Sequence, residues 1–218
     1  MKIPKSIFLT ILYYVVSVLI GFWILLIPDE IEYINLLKSS HLYNTIVTLV
    51  VLIIAFKLIK RSDLLNLEKA DTKYYLIAIL SGIGFVCFQP FLNAIYHQEI
   101  STDIFQYNFT FDRLSSLNVL ASILIVPVTE ELYFRNYIQR GLSKNYNPLK
   151  TIIITSILFA FIHIPFAAFF YEVFSFSLNQ TYIALFGGLI SGTLLYKSNS
   201  ITPSIIFHIF WNLASYVL

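Results

Sequence analysis

An all-α, polytopic membrane bundle of about seven transmembrane helices is the fold class that this sequence predicts, and three observations predict it. Hydrophobic residues make up 58% of the 218, and charged residues only 12%, too few to cover a water-soluble domain of that length. Seven stretches qualify as, or approach, the run of about 20 apolar residues that a helix needs to cross the hydrocarbon core. The loop cations fall in alternate loops of a seven-helix count, eleven against two, in agreement with that count. The mean hydropathy of +0.77 points the same way.

In chain order the predicted spans are Ile7–Ile27, Leu42–Ile59, Tyr74–Tyr96, Leu114–Phe134, Thr151–Tyr171, Thr181–Tyr196 and Thr202–Leu218. The first follows a basic "MKIPK", but it has no Ala-x-Ala-like cleavage site and its apolar run exceeds that of a signal peptide, so it reads as a retained helix. Lys2, Lys5, Lys57, Lys60, Arg61, Lys69, Lys73, Arg140, Lys144, Lys150 and Lys197 lie on one side of the membrane. The opposite loops hold Lys38 and Arg113 and are rich in Asp and Glu. The expected topology therefore has a cytoplasmic N-terminus and an external C-terminus. No soluble domain, tandem repeat or low-complexity tract interrupts residues 1–218, which are read as a single membrane domain.

Other features limit the function classes. A net charge of +2 with no basic stripe gives no reason to expect nucleic-acid binding. The lone Cys87, inside an apolar run, excludes a disulfide framework and reads as a small packing residue. "GGLISG" on the sixth span carries Gly188 and Gly192 four apart, with Gly187 and Ser191 beside them, and reads as a close-packing face. Gly82 and Gly84 on the third span receive the same reading.

The ionisable residues within the spans, away from ends where side chains reach the interface, are Glu130, Glu131, Arg135, His163 and His208. Each costs roughly 2.5 to 3.5 kcal/mol to place in the bilayer, so they are candidates for function. Glu131 and Arg135 are four apart, share a helix face and can neutralise each other as a structural ion pair. Glu130 is turned about 100° away and has no such partner. Pro127 just upstream frees a backbone carbonyl and can kink the helix. His208 and Asn212 also share a face, while His163 precedes Pro165 by two residues, where that helix is expected to bend or end. Measured from the cytoplasmic ends at 1.5 Å per residue, Glu130 lies roughly 6 Å deep, His208 about 12 Å and His163 about 18 Å, so contact requires a tilted or kinked helix. Singly, each has an ordinary reading as an interfacial carboxylate, a packed histidine or an interhelical hydrogen-bonding group. Together, on three helices, they point to a site.

These residues also carry a resemblance. "EELYFR" is similar to the E-E-x-x-x-R motif of the CPBP intramembrane proteases, the CAAX-processing and bacteriocin-processing enzymes also called Abi. "FAFIH" resembles the family's F-x-x-x-H motif, and "HIFWN" its H-x-x-x-N/D motif. The resemblance covers about Leu114 to Leu218, making 114–218 the catalytic core and 1–113 three generic membrane helices with their loops. Asn136 departs from it, standing where the family often has glycine.

The resemblance implies an intramembrane endopeptidase in which Glu130 activates water, His163 helps to hold it, and His208 and Asn212 stabilise the oxyanion. It implies a peptide or membrane-protein substrate met in the lipid bilayer, no nucleic-acid partner and, from a chain rich in Ile, Asn, Lys and Tyr, a bacterial cell membrane. No cofactor is favoured; the alternative is a zinc enzyme with Glu130, His163 and His208 as ligands. No Ser or Cys stands at helical spacing from either histidine with a base beside it, which disfavours a covalent mechanism. The competing classes are a non-enzymatic bacteriocin-immunity or scaffold protein and a transporter using a proton relay. No pair of inverted halves speaks for transport.

Overall fold

The computed structural model describes residues 1–22, 41–99, 114, 116–165 and 178–218. Among these, the regular structure is all helical, with no strand. We number the seven helices α1 (Ile3–Phe22), α2 (His41–Leu58), α3 (Thr72–His97), α4 (Leu117–Ser143), α5 (Pro148–Phe161), α6 (Asn179–Ser198) and α7 (Thr202–Val217). A short 3₁₀ turn, Ser62–Leu65, lies between α2 and α3. The first four helices are long and apolar enough to cross a membrane, whereas α5 is apolar but only 14 residues long.

Helices α1 to α3 expose large apolar side chains such as Phe8, Leu19, Leu58, Leu80 and Phe91, which suits lipid and not water. Helix α4 is the most buried of the four long helices and forms the centre of the bundle. Phe134 on α4 meets Phe159 on α5 edge to face at 5.4 Å, and Phe85 on α3 meets Trp211 on α7 at 5.1 Å.

Small residues set how closely these helices approach. A Cβ on Gly82 would stand 2.7 Å from the Phe207 carbonyl, so α3 crosses α7 there in near-backbone contact. Gly187 lies under the Trp211 ring, where a Cβ would come within 2.5 Å, and Gly188 rests on Ser156 of α5. The packing reading holds at these three positions but not at Gly84, which has nothing within 4 Å of an added Cβ. Cys87 also departs from its reading: it is exposed on the outer face of α3 and takes no part in the core.

The ends of α5 follow from local chemistry. Asn147 caps the start by accepting the Lys150 N–H at 2.9 Å, with Pro148 in the first turn. The span expected to run from Thr151 to Tyr171 stops as a helix at Phe161, and residues 166–177 lie outside the described residues. Pro165 disfavours helical backbone at Ile164, and the last amides pair three residues back, His163 N–H to Ala160 at 3.0 Å and Ile164 N–H to Phe161 at 3.1 Å. His163 therefore sits on a turn after the helix, free of the depth that a continuous helix would impose.

Helix α4 is irregular in two places. Ala121–Ile125 and Leu132–Gln139 are π-helical, on either side of the α-helical Val126–Glu131. The wide first segment accommodates Pro127, whose ring would clash with the carbonyl four residues back in a regular helix. The Val126 N–H bonds the Ala121 carbonyl, so in that register Ser122 would pair with residue 127, and proline has no N–H to give.

Candidate functional site

The Ser122 carbonyl left over by Pro127 is taken by a side chain: Asn212 Nδ2 of α7 donates to it at 2.8 Å. The carbonyl that proline was expected to free thus locks a candidate site residue in place. The amide keeps a second N–H and its oxygen for other partners.

Glu131 and Arg135 are buried together where α4, α6 and α7 meet. Arg135 Nε donates to Glu131 Oε2 at 3.1 Å and to Ser191 Oγ at 3.1 Å, and Ser191 Oγ–H donates to the same carboxylate oxygen at 2.5 Å. The other carboxylate oxygen, Oε1, accepts from His208 Nδ1 at 3.1 Å. Both terminal nitrogens of Arg135 are buried without hydrogen-bond partners, and the guanidinium carbon lies 5.1 Å from the centre of the Phe159 ring. Gln139, one turn further on, donates to the Gly192 carbonyl at 2.8 Å. Ser191 and Gly192 are small enough for α6 to approach so closely and polar enough to complete the network.

Glu130 points elsewhere. Its Oε2 is buried without a hydrogen-bond partner and lies 4.0 Å from His208 Nε2. His208 therefore stands between the two glutamates, Nδ1 bound to Glu131 and Nε2 turned toward Glu130. His163 Nδ1 lies 2.9 Å from the Phe159 carbonyl, an acceptor, which places the proton on Nδ1 and leaves Nε2 as the bare nitrogen. Phe159 organises both imidazoles, its ring centre 4.7 Å from that of His163 and 5.8 Å from that of His208.

Two cavities meet at Glu130. One, of about 400 Å³, is lined by Glu130, His163, His208 and Asn212 together, with Gln89 and Asn93 of α3 opposite. The other, of about 430 Å³, lies between α1, α2 and α4, with Tyr13, Asn44 and Thr48 facing Glu130 and His163. Glu130, His163 and Val126 line both. The set therefore comes together at one cavity wall, with Glu131 and Arg135 packed behind it. Among the described residues no three His, Cys, Asp or Glu side chains stand close enough together to hold a metal ion.

Sequence reasoning missed several contributors. Ser191 was read only as part of a packing face. Asn136 carries no charge to mark it, yet its buried Nδ2 donates to the Leu64 carbonyl at 2.6 Å and ties the 3₁₀ turn to α4. Helix α1 walls the site beside His163, where Tyr14, which no motif marks, donates to the Ile164 carbonyl at 2.7 Å. Tyr133 of α4 donates back to the Leu9 carbonyl of α1 at 2.6 Å. Hydroxyls on apolar helices were the available signal.

Residues 112–214 match the family model described as type II CAAX prenyl endopeptidase Rce1-like. That region takes in α4 to α6, most of α7 and every residue of the candidate set, and it is similar to the CAAX-protease family that the motifs resemble. No curated protein and no solved structure matches the chain.

Proposed function

With a CAAX-endopeptidase core in residues 112–214 as the premise, we propose that this chain hydrolyses a peptide bond at the membrane with a water molecule activated by Glu130. The supporting observation is that Glu130, His163, His208 and Asn212 line a single cavity, in which Glu130 keeps an unpartnered buried oxygen. Glu130 takes a proton from water as the hydroxide attacks the carbonyl carbon, and returns it to the amine that leaves. His163 Nε2, its other nitrogen held by the Phe159 carbonyl, accepts a hydrogen bond from the same water. His208 and Asn212 donate to the oxyanion, a contribution of about 10² to 10³ in rate for each donor of this kind. With Nδ1 held by Glu131, Nε2 is the His208 ring nitrogen that faces Glu130 and the reacting carbonyl. Glu131 and Arg135 act behind the site by fixing His208.

The same reading places the protein in a bacterial cell membrane with seven crossings and the N-terminus in the cytoplasm, and its substrate is a peptide or membrane protein. The test is cleavage of candidate peptides by purified protein in detergent, compared with the Glu130→Gln variant. Cleavage by wild type and none by the variant supports the reading; equal cleavage by both removes Glu130 as the base.

A further inference from the structure

We infer that Asn44 of α2 and Asn93 of α3 are substrate-binding residues, whose side-chain amides hydrogen-bond the backbone of an extended peptide on the two sides of the bond at Glu130. The inference rests on the peptide hydrolysis proposed above and assigns a task to helices outside the matched region. Three observations carry it. Each asparagine lines one of the two cavities that share Glu130 and His163 as a wall, Asn44 the 430 Å³ cavity and Asn93 the 400 Å³ one. Each has a buried Oδ1 with no hydrogen-bond partner. Both sit on helices long and apolar enough to cross a membrane, where an amide is costly unless something binds it.

The neighbours sharpen the assignment. The hydroxyls beside Asn44 are committed to their own helix, Thr45 donating to the Leu42 carbonyl at 2.8 Å and Thr48 to the Asn44 carbonyl at 2.7 Å. Asn44 is left to face the cavity. A side-chain amide offers an acceptor and a donor, the complement of a peptide unit, and leaving a buried acceptor unmet is unfavourable. A chain passing Glu130 in extended form presents backbone N–H groups to both cavities, one for each Oδ1.

The experiment uses the full chain in detergent and a pool of N-acetylated apolar heptapeptides, with retention and cleavage both read by mass spectrometry. The Glu130→Gln protein should retain peptides from the pool. Adding Asn44→Leu or Asn93→Leu should lower retention about tenfold, the scale of one lost hydrogen bond, with the melting temperature unchanged. Ester analogues of a retained peptide, each lacking one backbone N–H, report the same contact without any change to these helices. Two ester positions, one on either side of the scissile bond, should lose about tenfold on the Glu130→Gln protein and nothing further on the matching Asn→Leu variant. No retained peptide, retention by either Asn→Leu variant equal to that of the Glu130→Gln protein, or ester losses that persist on the variants overturns the inference. If wild type retains peptides in this pattern but cleaves none, the hydrolase reading fails and the two asparagine contacts stand.

Discussion

Glu130 and Glu131 are adjacent in the chain and occupy two different regions of the molecule. Glu131 lies in a packed polar seam, where Arg135, Ser191 and His208 occupy its oxygens and α6 is drawn in by residues as small as Ser191 and Gly192. Glu130 lies on the wall between two cavities, with one oxygen buried and unpartnered. The side chain is the same, so surroundings decide the task. A carboxylate with both oxygens engaged is structural, and one facing an open volume can take a proton.

The largest effect that would break this contrast is in catalysis. Glu130→Gln keeps the shape but cannot act as a base, so cleavage should be abolished while the melting temperature in detergent stays near wild type. Cleavage near the wild-type rate would put the two glutamates back on equal terms.

The converse substitution in the seam should affect folding first. Arg135→Ala leaves Glu131 buried without its cation, a change worth about 3 to 5 kcal/mol for a pair of this kind. The melting temperature should fall far more than for Glu130→Gln. Equal melting of Arg135→Ala and wild type would show that the seam does not depend on the pair.

Asn212→Ala sits between the two regions, because its amide is anchored on the Ser122 carbonyl and lines the cavity. The proposed oxyanion role predicts a fall of about 10² to 10³ in kcat with little change in KM. A rise in KM at unchanged kcat would make Asn212 a binding group instead. The smallest effect concerns metal: exhaustive chelation should leave cleavage unchanged. Loss of activity restored by one equivalent of zinc would return Glu130, His163 and His208 to the role of ligands.

Much of this contrast is legible in the sequence. Adjacent residues on a helix point about 100° apart and residues four apart share a face, so spacing alone separates Glu130 from Glu131 and pairs the latter with Arg135. The end of α5 was half legible. Pro165 marked a break, but the expected helix passed through it, and placing His163 on a turn needed the backbone itself. Cys87 and Gly84 were misread because an apolar run in a membrane protein does not say which of its faces meets lipid.

By itself the sequence determined the all-helical membrane class, the order of the helices, the close packing at Gly82, Gly187 and Gly188, and which polar residues share a helix face. These follow from composition and from spacing along one chain segment, where covalent geometry fixes the relation between neighbours. Only the tertiary structure decided that Ser191 binds both Glu131 and Arg135, that Asn212 takes the carbonyl released by Pro127, and that α1 and α2 wall a cavity ending at Glu130. Those contacts depend on how each helix is rotated and how far it slides against its neighbours. In α4 the rotation is reset twice by π segments, so no local period carries it across the bundle.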